Sequence, residues 1–273
     1  MRIALLTTDN REQMKDYART APCFGAAPEA LLQGFALTPG IEVHVLSCVR
    51  RPVVSPTKLA DNICYHSLLV PKPGWMATFY QGCIRATRRK LRVLQPDIVH
   101  GQGTERDCAM RAVFSGYPNV LTIHGNMAEL ARLFHARVGS YAWLAARLEG
   151  VALRRTAGVF CHSAYTENLV EPRARRVWRV ANALRQSLFV PSAPMQQPAR
   201  CQILNIGLVS LRKRQLELLE LGARLHAQGL SFELLFVGAA NSANPYAREF
   251  LGRIRVAEQA GYARYLGVKP ADE

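Results

Sequence analysis

The chain has 273 residues, 49% of them hydrophobic, and a formal net charge of +15. That length suggests two domains, and that composition can bury a sizeable core while excluding disordered, collagen-like and low-complexity classes. Apolar stretches such as Ile3–Leu6 and Leu234–Val237 are far too short to span a bilayer. The seven cysteines contain no CxxC pair, which predicts reduced, mostly buried thiols rather than disulfides or a zinc site. The N-terminus turns polar after Leu6 without a signal-peptide-like hydrophobic region, so the expected compartment is the cytoplasm.

Most of the excess charge precedes residue 200, where 25 basic residues meet 13 acidic ones. Such a field attracts anions: nucleic acid, acidic lipid headgroups or phosphate-bearing substrates. A basic enzyme with a solvated surface is the equally open, plainer reading. No nucleic-acid motif accompanies the charge, and the basic residues are not interleaved with stacking aromatics, so no nucleic-acid partner is expected.

In chain order, Arg2–Thr7 reads as a strand, then Pro28–Leu37 as a helix and Ile41–Cys48 as a second strand. Tyr65–Val70 follows as a strand, Trp75–Leu94 as a helix, Asp97–His100 as a strand and Glu105–Ser115 as a helix. Asn119–Ile123, helix Tyr141–Arg155 and strand Ala157–Cys161 complete the first half. Short apolar runs separated by helices of this length predict a parallel sheet covered on both faces. Residues 189–200 carry three prolines and no periodicity, and read as a linker. The alternation then restarts with strand Gln202–Ile206, helix Arg212–Gln228, strand Phe232–Val237, helix Pro245–Ala260 and strand Tyr262–Leu266. The expected organisation is a Rossmann-like domain over 1–188, the linker, and a second Rossmann-like sheet over 201–273, with a ligand cleft at the strand C-termini.

Residues just past each strand are therefore the candidates. Cys23-Phe24-Gly25-Ala26-Ala27-Pro28 runs into a helix start, where Gly25 lets an anion approach free N–H groups. A plain loop-to-helix turn is the alternative. His100-Gly101-Gln102-Gly103-Thr104-Glu105-Arg106 is no dinucleotide fingerprint, because Arg106 takes the third glycine position; it presents Gln102, Thr104 and Glu105 at a cleft mouth. His124, followed by Gly125 and Asn126, ends a strand where it can hydrogen-bond a sugar or phosphate. His44, His66, His135, His162 and His226 read as structural. Downstream, Gly207 ends a strand and Arg212, Lys213 and Arg214 open the next helix. Cations there are disfavoured unless an anion joins them, which points to a phosphate clamp. Residues 74–94 plot as an amphipathic helix, with Arg85, Arg88, Arg89 and Arg92 on one side and Trp75, Phe79 and Tyr80 near its start. It either covers the sheet with a solvated outer face or docks peripherally on an anionic membrane, on its inner face.

The ordered series FGAAPEALL, PDIVHGQGTERD, VLTIHGN, VFCHSAYTENL, RVANALRQSLF, ILNIGLVSLRKRQLELL, LLFVG and YLGVKP resembles the family-4 retaining glycosyltransferases of the GT-B fold. The resemblance implies two Rossmann-like domains and transfer of a hexosyl group, with retention, from a nucleotide-sugar donor to a glycan or lipid-linked acceptor. It implies neither cofactor nor metal, protein cations and N–H groups stabilising the leaving diphosphate. On this reading Gly25 lies by the donor phosphates and His124 by the transferred sugar. Gly207 belongs to the second phosphate loop, Lys213 with Arg212 neutralises the diphosphate, and Asn182 sits at the crossing between domains. Gln102, Thr104 and Glu105 face the acceptor. The pattern departs at Leu208, where the family has arginine, at Arg214, where it has glycine, and at Arg185, where it has an acidic residue. The family's pair of glutamates has no counterpart before Glu273. The expectation is a C-terminally truncated glycosyltransferase with an incomplete second domain, inactive by itself; the alternative is a non-catalytic module binding a glycan, an anionic lipid or a protein partner.

Overall fold

A computed structural model describes residues 1–189 and 200–269. Most of the expected linker, 190–199, lies outside the described residues, as do the last four. The chain divides into two compact units, Met1–Leu188 and Phe189–Glu273.

The first unit begins with strand β1 (Arg2–Leu6), a short helix α1 (Asn10–Met14) and helix α2 (Ala26–Ala36). Strands β2 (Glu42–Val49), β3 (Lys58–Ala60) and β4 (Ile63–Leu69) precede helix α3 (Gln81–Leu94) and strand β5 (Ile98–Gln102). Helix α4 (Asp107–Val113), strand β6 (Asn119–Thr122), and helices α5 (Met127–Leu133) and α6 (Tyr141–Arg155) come next. Strand β7 (Gly158–Cys161), helix α7 (Ala164–Val170) and strand β8 (Val177–Arg179) complete it. The strands form one sheet in the order β3-β4-β2-β1-β5-β6-β7-β8, parallel except for the edge pair β3–β4.

Alternate residues of the central strands feed two cores, because successive side chains point to opposite faces. Ile3, Leu5, Val43 and Val45 pack with Phe24 and Leu32 of the α2 side. Ala4, Leu6, Leu46, Cys48, Val99 and Leu121 pack with Cys83, Ile84 and Leu91 of α3 and with Ala109 and Ala112 of α4. Burying both faces explains why these strands read as continuous apolar runs. Each fully buried leucine, such as Leu5 or Leu46, contributes about 1.5–3 kcal/mol.

The helix expected over 75–94 starts at Gln81 instead. Phe79 and Tyr80 have left-handed backbones, and two short 3₁₀ turns over 72–78 precede them. This turn drives Trp75 and Tyr80 into the core, at 6% and 3% exposure, while Phe79 stays outside. Arg85, Arg88, Arg89 and Arg92 form the exposed face of α3.

In the second unit, strand β9 (Cys201–Ile206), helix α8 (Gln215–Ala227), strand β10 (Phe232–Val237), helix α9 (Pro245–Gln259) and strand β11 (Ala263–Gly267) alternate. The three strands form a parallel sheet in the order β11-β10-β9. Phe232, Leu234 and Phe236 pack with Leu219, Phe250 and Ile254 of the two helices. At the C-terminal edge, Gly207 (φ +152°) and Gly238 (φ +142°) approach closely enough that a Cβ on Gly238 would run into the Gly207 carbonyl. Only glycine tolerates both that contact and that backbone.

Candidate functional site

The register of the parallel strands decides which residues meet at the C-terminal edge of the first sheet. Leu6 aligns with Gly101, Gln102 with Thr122, and Thr122 with Phe160. The residues just beyond, Thr7 and Thr8, His124 and His162, therefore converge. Gly25 caps α2 without a side-chain hydrogen bond, so N–H groups of the first turn lack a side-chain acceptor. A cavity of about 360 Å³ lies here, lined among others by Thr8, Asn10, Gly25, Gln102, Glu105 and His124. A second, of about 230 Å³, is lined by Leu31, Phe35, Gln102, His124, His162 and Asn182, among others. Ala27, Gln102 and His124 line both, making them adjoining compartments. Four of the sequence candidates thus meet in the first cavity (Gly25, Gln102, Glu105, His124), and Asn182 joins Gln102 and His124 in the second.

A chain of hydrogen bonds runs along the strand ends. His100 Nε2 is 2.7 Å from Thr122 Oγ1 and 3.1 Å from Gln102 Nε2. Gln102 Oε1 is 2.9 Å from His124 Nε2, His124 Nδ1 is 3.3 Å from His162 Nε2, and His162 Nδ1 is 3.0 Å from the Val180 carbonyl. The rings of His124 and His162 stack with centroids 5.3 Å apart. Two acceptors, Gln102 Oε1 and Val180 O, bracket the two rings. With the amide in that orientation all three bonds would call for three protons on four ring nitrogens, one more than two neutral rings carry. Turning the Gln102 amide over lets the same chain run in one direction with both rings neutral, since Gln102 Nε2 then donates to His124. Burial pushes His100 down to about 4, the nearby His124 adding to the effect. Burial and His162 also lower His124 below its ordinary value.

Glu105 lies across from this chain. Its carboxyl lodges between Gly103 and Gly125, where side chains at either position would collide with it. Gly103 also has φ +84°, a backbone that favours glycine. Burial raises the Glu105 pKa, N–H groups of residues 104, 105 and 125 pull it back, and Glu149 raises it further. Thr104 and Asn126, both sequence candidates, line neither cavity. The Thr104 hydroxyl donates to Glu149 Oε2 at 2.8 Å and lies 3.2 Å from the Gly125 carbonyl oxygen. Asn126 caps α5, its Oδ1 accepting from Glu129 N at 3.0 Å. Glu149, fully buried, also accepts from the Met127 and Ala128 N–H groups and pairs with Arg173, which anchors the loop after β6.

The loop after β1 is anchored as firmly. Arg11 is fully buried and binds both carboxylate oxygens of Asp9, which also accepts from Tyr65 Oη at 2.7 Å. The same guanidinium reaches the carbonyls of Arg19 and Val54 and the Ser55 hydroxyl. Asn10 and Gly25 are thereby held beside the cavity.

In the second unit, the Lys213 side chain runs alongside Gly207; a Cβ added to that glycine would lie 3.4 Å from Lys213 Cε. Arg212 and Lys213 are exposed and form no ion pair among the described residues. Arg214 takes a left-handed backbone and pairs with Glu217 at 3.0 Å. Arg185, in the first unit, pairs with Glu29 of α2 at 2.7 Å, so the cation found where the resemblance has an acidic residue ties that segment to α2.

Among the described residues, Cys48, Cys83 and Asp107 are close enough to share a metal ion. Arg111, fully buried, already occupies Asp107 at 3.0 Å and donates to Thr87 and to the Leu46 carbonyl, which makes this a packed ion pair rather than a vacant ligand set. No helix among the described residues is long and apolar enough to cross a membrane.

His162 is the residue that sequence reading assigned to structure and the fold assigns to the cavity. The signal is the register: Thr122 pairs with Phe160, so residues two beyond each must be neighbours.

Solved structures share this fold over essentially the whole chain. An Anabaena protein, Alr3699/HepE in complex with UDP and glucose, aligns at 13% identity and TM-score 0.62, over 99% of this chain and 70% of that one. The apo lipopolysaccharide outer core galactosyltransferase WaaB gives 13% and 0.60, over 99% and 69%. Sucrose-phosphate synthase from Thermosynechococcus elongatus gives 14% and 0.59, over 100% and 71%. No curated protein sequence matches the chain. The fold is α/β of the GT-B type. The family description Glycosyltransferase Family 4 matches residues 31–186, more than half of the chain, and the chain belongs to that family.

Proposed function

We propose that this chain serves glycosyl transfer from a nucleotide-sugar donor to a glycan or lipid-linked acceptor, with retention, as a hexosyltransferase without metal or cofactor. The observation that carries the reading is the convergence of Gly25, Gln102 and His124 on one cavity wall at the sheet's C-terminal edge. The N-terminus of α2 favours donor phosphate there, the helix dipole and its N–H groups both attracting negative charge. His124 positions the transferred sugar through a ring held between Gln102 and His162. Glu105 and Asn182 line the remaining wall. In the second unit, Gly207, Arg212 and Lys213 are the phosphate-binding group on the same reading, Lys213 acting as a point charge. The family membership and the UDP and glucose bound to Alr3699/HepE support the donor class.

A second reading, donor or glycan binding without transfer, is favoured by Leu208 and Arg214, which stand where the resemblance has arginine and glycine. Peripheral contact with anionic membrane rests only on the exposed arginines of α3. The discriminating experiment incubates the chain with UDP-glucose, UDP-galactose and GDP-mannose in EDTA and measures nucleoside diphosphate release. Release that survives EDTA supports metal-independent transfer or donor hydrolysis. Saturable binding with no release supports the binding module. Neither binding nor release with any donor contradicts both readings.

A further inference from the structure

We propose that a separate cavity beside α1 binds the oxyanion, carboxylate or phosphate, of a negatively charged sugar acceptor. This inference rests on the glycosyltransferase reading and adds the acceptor's chemical class to it. The cavity, about 280 Å³, adjoins the one that holds His124 and Gly25, Gln13 and Arg106 lining both. An acceptor with a hydroxyl at the His124 wall can therefore extend across Arg106 into it.

Its charge is unbalanced. Lys15, Arg50 and Arg106 line it, against one carboxylate, Glu12. Glu12 is already committed: it accepts from the Arg50 N–H at 2.9 Å and pairs with the Arg50 side chain at 3.6 Å. Among the described residues Arg106 donates to the neutral Gln13 amide, at 3.3 Å, and forms no ion pair. Lys15 is exposed and has no carboxylate partner among the described residues. Two cations thus face the cavity without a carboxylate partner among the described residues, Arg106 at the junction with the neighbouring compartment.

The surroundings fix the backbone of Lys15 and the side chain of Arg50. Lys15 ends α1 with a left-handed backbone, its N–H bonded to the Arg11 carbonyl, so the buried Arg11–Asp9 pair sets its position. The Arg50 guanidinium stacks over Trp75 at 4.8 Å from the ring centroid, and Trp75 Nε1 is tied to the Val70 carbonyl. Tyr141, half exposed, hydrogen-bonds the Glu105 carbonyl and offers a ring face to a sugar. Charge-assisted contacts from these cations, with an aromatic wall beside them, suit an acidic or phosphorylated sugar and penalise a neutral one little beyond lost attraction.

The test is a ligand-observed NMR titration of the unmodified chain with methyl β-D-glucuronide, D-glucose 6-phosphate and methyl β-D-glucoside. Either charged sugar is expected to bind about tenfold or more tightly than the glucoside, the size of one charge-assisted contact. Tighter glucuronide assigns a carboxylate, tighter glucose 6-phosphate a phosphate, and both together a site for either oxyanion. Lys15→Ala and Arg106→Gln should each remove about that factor, and added salt should weaken the charged sugars selectively. Lys15 is exposed, so its variant reports even if the Arg106 variant fails to fold. Equal affinity for charged and neutral sugars, no binding of any, or unchanged charged-sugar affinity in the Lys15 variant overturns the proposal. Nucleotide-sugar binding by the unmodified chain is measured alongside. Its absence would sink the donor reading while leaving a positive anionic-sugar result standing.

Discussion

Replacing Arg11 by methionine removes the group on which the loop after β1 depends. Both partners of the Arg11–Asp9 pair are completely buried, and the bond from Nη2 to Oδ2 is 2.6 Å. After the change, Asp9 keeps the Tyr65 hydroxyl and the N–H groups of Arg11 and Cys23, but no positive charge. Removing one partner of a buried ion pair costs about 3–5 kcal/mol, because the other charge remains uncompensated. At about 2–4 °C per kcal/mol for a unit of this size, the melting transition of the first unit should fall by about 6–20 °C. Scanning calorimetry with circular dichroism reads that shift. Changing Asp9→Asn in the same chain should recover part of it, since the penalty comes from the stranded charge. The pH dependence is a second check. In the native chain burial would raise Asp9, but the hydrogen bonds from Arg11, Tyr65 and two N–H groups outweigh it and hold the carboxyl below its ordinary value. A depressed carboxylate stabilises the fold above its unfolded pKa, and this stabilisation is lost as pH falls through the folded one. In the Arg11 variant burial dominates, Asp9 protonates more readily, and the deficit against the native chain should shrink as pH falls from 7 to 4. A melting shift under about 3 °C, or a deficit unchanged across that pH range, would refute the reasoning.

Two further outcomes follow from the same structure. His100, 9% exposed and pushed down to about 4, should remain neutral in NMR titrations at pH 6, and its contribution to stability should be lost as pH falls from about 6.5 toward 4, because the unfolded state binds the proton first; an ordinary titration near 6.5 would contradict this. Gly238→Ala should destabilise the second unit by about 1–3 kcal/mol, since the new Cβ meets the Gly207 carbonyl at a left-handed backbone; an unchanged urea midpoint for that unit would show that the two strand ends do not pack as described.

The parallel sheets were legible because buried strands read as Val, Ile and Leu runs bounded by turns. Helix Tyr141–Arg155 was legible at both ends, Ser140 capping its start and Thr156 leaving helical geometry at its end. What escaped was short. Helices α1, α5 and α7 have five to seven residues, too few for an apolar period, and are announced only by their capping residues Asp9, Asn126 and Ser163. Strands β3 and β8 have three residues each and exist through pairing at the sheet edges. The same division runs through the site. His124 and Gln102 were legible because strand position alone points them at the cleft. Thr104 shares that local pattern, yet its hydroxyl turns to Glu149, forty-five residues away in sequence. His162 and the Lys15, Trp75 and Tyr141 wall depend on cross-strand register and on distant segments, which a linear pattern does not carry.

The most direct test of the central claim is calorimetric binding of UDP-glucose and GDP-mannose to the native chain, His124→Ala and Lys213→Ala. The account predicts saturable binding of at least one donor by the native chain, weakened about tenfold or more in each variant, as loss of a hydrogen-bonded or charged phosphate contact requires. Absence of binding to the native chain, or affinity untouched by both substitutions, would contradict it.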